Sequence, residues 1–154
     1  MLKQKYEALK NFFIETGEAT AEELTEELEA VYNDSYGTFE ILGGEYRVLT
    51  DEEADEATAE NIKDSLWAFN ADFILKHTEA YKNTTDREDA EIIKALQMIQ
   101  SSICESANSL VLALISDIEE FIEDAIDADG RGHFLATYDG QENGDGKFYI
   151  YRTN

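Results

Sequence analysis

The chain has no proline, one cysteine and two histidines in 154 residues. A single cysteine, Cys104, rules out an internal disulfide and a cysteine-based zinc site, and it fits a reducing cytoplasm. With only His77 and His133 present, any Ser-His-Asp arrangement depends on one of them, and neither stands in a local signature of such a site. Basic residues are scarce as well, 12 Lys and Arg in all, so the cationic footprint that DNA or RNA binding requires is missing. Long apolar runs are absent. The longest, Leu110 to Ile115, falls far short of the roughly 20 residues of a membrane span, and Met1-Leu2-Lys3-Gln4-Lys5 lacks the apolar segment of a signal peptide. Without proline, glycine is left to mark the element boundaries.

What the chain has in excess is acid. Asp and Glu number 35, for a formal net charge of -23. The excess is regional: residues 15–64 hold 17 acids against Arg47 and Lys63, and Asp117 to Asp129 holds seven acids with no base. Excess like charge destabilises a compact state by self-repulsion, so an acidic surface kept at this density needs a reason. The apolar fraction, 43%, is too high for a disordered acidic tail and offsets the ordering entropy of one folded domain over residues 1–154.

Leu2, Tyr6, Leu9, Phe12 and Phe13 recur at helical spacing and predict a helix over 2–16 that ends at Gly17. Thr20 with Glu23, and Thr50 with Glu53, read as capping boxes that open helices toward Val31 and Phe69. Residues 39–49 read as a β-hairpin turning at Gly43-Gly44. A short helical turn is expected around Asp72 to His77. From Asp86 to Ile126 the pattern is helical, either one long helix or two with a kink. Phe134–Tyr138 and Lys147–Arg152 read as strands of a second hairpin, about 133–152. The fold class is α+β: four or five helices packed on a small antiparallel sheet built from two hairpins.

The acids fall on helix surfaces. Glu22, Glu23, Glu26 and Glu27 lie on the second predicted helix, Glu52, Glu56, Glu60 and Asp64 on the third, and Glu120, Glu123, Asp124 and Asp127 in the last acidic block. Residues 51–64 carry about one acid per 3 Å of helix axis, against one phosphate per about 3.4 Å on a strand of B-DNA. Acids in a first turn favour the helix dipole, which accounts for Glu22, Glu23, Glu52 and their neighbours. It does not account for Glu27, Glu56, Glu60, Glu123, Asp124 or Asp127, and i,i+4 pairs such as Glu52/Glu56 and Glu56/Glu60 each cost about 0.2–0.5 kcal/mol. These twelve residues are the candidate partner-binding surface. Its complement is a basic nucleic-acid-binding protein or complex, whose channel a DNA mimic would occupy.

Other motifs carry less. Asp127-Ala-Asp129-Gly130 fails as a calcium loop, because aligning its glycine puts Ala125 and Ala136 at the first and last ligand positions. A looser metal site from Asp124, Asp127 and Asp129 is a minor alternative, as is an enzyme built around His133, Tyr138 and Asp139. Gly130-Arg-Gly132 follows a helix and lacks the P-loop lysine and hydroxyl, so Gly130 is read as a helix C-cap. Cys104, Trp67, Phe69 and Phe73 are assigned to the core. No cofactor and no catalysis are expected.

Two stretches, Tyr46-Arg-Val-Leu-Thr-Asp-Glu-Glu-Ala-Asp-Glu56 through Asp64-Ser-Leu-Trp-Ala-Phe-Asn-Ala-Asp-Phe73, and the terminal Asp129–Glu142 with Phe148–Asn154, resemble a family of small acidic proteins encoded by bacteriophages and mobile elements. The resemblance carries over no catalytic or binding residue. It implies a bacterial host cell, where small acidic phage proteins include DNA-mimicking inhibitors of restriction and CRISPR systems. The expectation is a non-enzymatic anti-restriction or anti-CRISPR inhibitor. The alternative is an accessory or structural protein that self-associates, as a homodimer for example, through the Leu110–Ile115 run and uses its charge only for solubility.

Overall fold

The computed structural model describes residues 1–26, 32–33 and 37–154, with Thr25 and Glu26 described by their backbone only. Its chain divides into two compact units: unit 1, Met1–Thr58 with Asp129–Asn154, and unit 2, Ala59–Ala128. The α+β class holds, with helices and a five-stranded antiparallel sheet.

Unit 1 is built on that sheet, with strands β1 (Tyr32–Asn33), β2 (Thr38–Ile41), β3 (Gly44–Leu49), β4 (Asn143–Gly144) and β5 (Tyr149–Arg152) in the order β1-β2-β3-β5-β4. Alternation along β3 and β5 sends their side chains to two faces. Helix α1 (Leu2–Thr16) places Leu9 and Phe13 on one face, in a core with Leu24, Phe39, Ile41, Tyr46, Val48, Phe148 and Ile150. Phe13 meets Tyr46 edge to face at 5.2 Å. On the other face Leu49 and Tyr151 pack with Ala54, Leu135 and Ala136. Helix α1 ends at Gly17, whose left-handed backbone (φ 73°) suits a residue without Cβ.

Two expectations about unit 1 are corrected. The first hairpin turns at Leu42-Gly43, not Gly43-Gly44: both have positive φ, 51° and 74°, and Ile41 pairs with Gly44, the pattern of a two-residue primed turn. Phe134–Tyr138 is not a strand. Helix α7 (Ile118–Leu135) breaks its helical backbone at Gly130 (φ 77°, ψ 157°) and then resumes helical form to Leu135. The partner of β5 on that side is the short β4, so the second hairpin is much smaller than 133–152. Phe134, Leu135 and Ala136 are all buried, which a half-exposed strand does not allow. Gly130 interrupts the helix as expected of a cap, but the chain goes on turning.

Helix α2 (Ala21–Glu26) opens with the Thr20 capping box, and α3 (Asp51–Asp64) with the Thr50 box, in which the Thr50 amide donates to Glu53 and the Glu53 amide to the Thr50 hydroxyl. Residues 27–31, within the second expected helix, lie outside the described residues.

Unit 2 contains the C-terminal end of α3, α4 (Ala71–Lys76), α5 (Asp86–Ile103), α6 (Asn108–Leu114) and the first part of α7. The long helical stretch breaks twice. Cys104 adopts φ 47° and opens a 3-10 turn to Ala107, and Ile115 is extended after α6. Gln100 and Asn108, flanking the first break, bind the backbone of the 63–69 corner: Gln100 Nε2 donates to Trp67 O and Phe69 O, while Asn108 accepts from Trp67 N and donates to Lys63 O. Cys104 is exposed rather than in the core, because its break turns it away from the buried row of α5. Trp67, Phe69 and Phe73 are half-buried. Phe69, Phe73, Phe121 and the imidazole of His77 form an aromatic cluster with centroids about 5 Å apart. Among the described residues no helix is long and apolar enough to cross a membrane.

Candidate acidic surface

The acids of α3 separate into two sets. Asp51, Glu53 and Asp55 are held by bases of unit 1. Lys5 Nζ lies 2.5 Å from Glu53, and Arg131 Nη1 lies 2.8 Å from both Asp51 and Asp55. Burial favours the neutral form of Glu53, but hydrogen bonds from Lys5 and Thr50 outweigh it and hold its carboxyl below the usual carboxylate range.

Arg131 is the centre of a larger cluster. Its Nε and Nη2 also grip both oxygens of Glu142, at 2.8 and 3.1 Å, and its guanidinium lies 4.4 Å over the Tyr149 ring. Tyr151 donates its hydroxyl to Glu142 at 2.5 Å. Hydrogen bonds donated to Glu142 push the Arg131 pKa further up. Glu142 is desolvated, yet the bonds from Arg131 and Tyr151 hold its carboxyl low, while burial and then Glu142 push Tyr151 up. Gly132 makes this closure possible: a Cβ there would sit 2.5 Å from Gly140 O and 2.8 Å from Glu142 N. One guanidinium faces three carboxylates, so the cluster stays net negative.

The second set faces water. Glu52, Glu56, Glu60 and Asp64 are exposed, follow one another at i,i+4 along α3, and have no ion pair among the described residues. The row runs about 18 Å with one charge per about 6 Å. Counting all the acids of 51–64 suggested the density of a DNA strand; pairing of Asp51, Glu53 and Asp55 brings the free density to about half of that.

Helix α7 carries a separate row. Glu120, Glu123 and Asp127 are exposed at i, i+3, i+7, opposite the buried Phe121, Ile122 and Ala125, and are without an ion pair among the described residues. Asp124 lies 3.4 Å from His77 Nε2, and Glu119 3.5 Å from Lys63 Nζ. On α2, Glu22 is exposed. Glu23 is taken up by its capping box, its carboxyl held low by the Thr20 backbone and hydroxyl bonds. The Glu26 side chain and Glu27 lie outside the described residues. Of the twelve candidates, seven are thus free exposed acids on two helices, Glu22 is an eighth, Glu23 is engaged in its capping box and Asp124 lies against His77.

The Arg131 cluster was not anticipated from sequence. A signal was present: Arg131 is the first Lys or Arg after Lys94, and it follows the base-free acidic block Asp117–Asp129. Its partners lie 80, 76 and 11 residues away, which spacing does not reveal. No group of three or more His, Cys, Asp or Glu able to hold a metal ion lies among the described residues. Comparison with protein-family models, with curated proteins and with solved structures finds no match.

Proposed function

We propose that this chain is a non-enzymatic inhibitor that occupies the nucleic-acid-binding surface of a basic host protein or complex, as a DNA mimic. The observation that carries the reading is the free row Glu52, Glu56, Glu60, Asp64. Its neighbours Asp51, Glu53 and Asp55 show that this chain can pair acids with bases where stability calls for it. The row instead retains like charges at i,i+4, a repulsion of about 0.2–0.5 kcal/mol per pair that a cationic partner would reverse. Glu120, Glu123 and Asp127 supply a second row of the same kind. A basic channel that accepts such rows gains the interactions it otherwise makes with phosphates. The resemblance to small acidic proteins of phages and mobile elements makes a restriction or CRISPR nuclease the target class.

The test is capture of partners from nuclease-treated bacterial lysate at low and high salt, followed by titration of the captured complex. Duplex DNA should compete with the protein, and affinity should fall steeply with salt. Reversing Glu52, Glu56, Glu60 and Asp64 to lysine should lower the slope of log K against log salt by about four. A slope unchanged by the four reversals, or simultaneous binding of DNA and this protein, would sink the reading.

A further inference from the structure

We propose that the surface of unit 2 running from Ile103 to Leu114 joins two copies of this chain. Between Ala95 and Ser116 fifteen residues are exposed, and one of them, Glu105, is charged. On either side the charge returns at once, with Lys94 before and Asp117, Glu119 and Glu120 after. Within this stretch Ile103 is 48%, Leu110 42%, Leu112 46% and Leu114 41% exposed. Helix α6 turns Ala107 and Val111 inward, and Leu110 and Leu114 on one flank and Leu112 on the other remain in water. Leu and Ile side chains left exposed this closely mark a surface that is covered in use.

Charge selects the occupant. Two copies of a chain at -23 repel each other wherever carboxylates face across a contact, and screening reaches only about 8 Å at physiological salt. A self-complementary contact needs a surface poor in carboxylates, and Ala95–Ser116 exposes only one, Glu105. A basic partner would be recruited to the acidic rows and gains nothing from a neutral patch. A membrane with anionic lipids would repel the rest of the chain. The polar positions also suit a contact between copies: Ser101, Ser102, Ser106 and Ser109 are short, and ordering them costs little side-chain entropy. This inference is independent of DNA mimicry, which predicts weakening by salt, whereas apolar association is held or strengthened by it.

Sedimentation equilibrium of the full chain, in 0.15 M and in 1 M NaCl, decides the matter. The expected result is a monomer–dimer equilibrium no weaker at the higher salt. Leu112→Asp should raise the dissociation constant about 30-fold or more, as loss of an interface hot spot does. Leu110→Asp combined with Leu114→Asp should do the same, with the far-UV circular dichroism of the folded chain unchanged. Attaching a bulky maleimide to the exposed Cys104 of the unmutated chain should block the dimer too, which keeps the test open if a variant misfolds. A monomer at all concentrations up to about 1 mM, the weak limit of specific association, would overturn the proposal. So would a dimer untouched by every one of these changes, or a monomer that binds phospholipid vesicles through the same leucines.

Discussion

Replacing Arg131 with methionine keeps an aliphatic stem over Tyr149 but leaves Asp51, Asp55 and Glu142 facing one another without their cation. Removing one member of a buried charge network costs about 3–5 kcal/mol. Asp51 and Asp55 are 67% and 62% exposed and stay hydrated, so the loss should be about 2–3 kcal/mol at pH 7. For a chain of this length that lowers Tm by about 4–12 °C, readable by calorimetry or by urea titration followed by circular dichroism. The pH dependence tests the cause. Glu142 ionises more readily in the folded chain than in the unfolded one, so the stability it contributes is present above its unfolded pKa and is lost as pH falls through its lower folded value. In the methionine variant the three carboxylates lose their shared cation, and protonating them relieves the mutual repulsion. The deficit should be full at pH 7 and shrink below about pH 4, in the ordinary carboxylate range. A deficit under about 1 kcal/mol at pH 7, or one that is undiminished at about pH 3, would show that the guanidinium does not hold this corner by charge.

Three further outcomes follow from the same structure. Raising NaCl from about 0.05 to about 0.5 M should raise the Tm of the unmutated chain, because self-repulsion among the unpaired acids is screened; a falling Tm on calorimetry would contradict it. Glu56→Lys turns two repulsive i,i+4 pairs, with Glu52 and Glu60, into attractive ones and should stabilise the chain by about 1 kcal/mol in urea titrations while weakening capture of a basic partner. Gly132→Ala should destabilise by about 1–3 kcal/mol, since the methyl group must displace the backbone of Gly140 to Glu142, and the urea midpoint measures the loss.

The parts of the fold set by neighbours in sequence were readable. Leu9 and Phe13 announce the buried stripe of α1, Gly17 its left-handed end, and Thr20 and Thr50 the capping boxes. The misread parts depend on distant packing. Phe134-Leu135-Ala136 is a short apolar run equally compatible with strand or helix, and the burial of Leu135 and Ala136 with Ala54 and Tyr151 decides it. Cys104 looked internal because its helix was expected to run on, whereas Gln100 and Asn108 hold a corner at 63–69 and the chain breaks between them. The acidic helices were legible as acidic. Which acids are free was not, because Lys5 and Arg131 reach α3 from far along the chain.

The register at the middle of the sheet also sets an order of assembly. Strand β3 finds its neighbour β5 through pairs such as Val48 with Ile150, so closing that ladder means closing a loop of about 100 residues. The β2–β3 hairpin and the helices of unit 2 are made of nearer contacts and can form while the chain is still being extended on the ribosome. Until residues 149–152 emerge, β3 is an edge with free amides and carbonyls, and Val48 lacks the cover of Ile150. In this interval Glu45 and Arg47 keep charge along the open strand, a deterrent to pairing with the wrong chain.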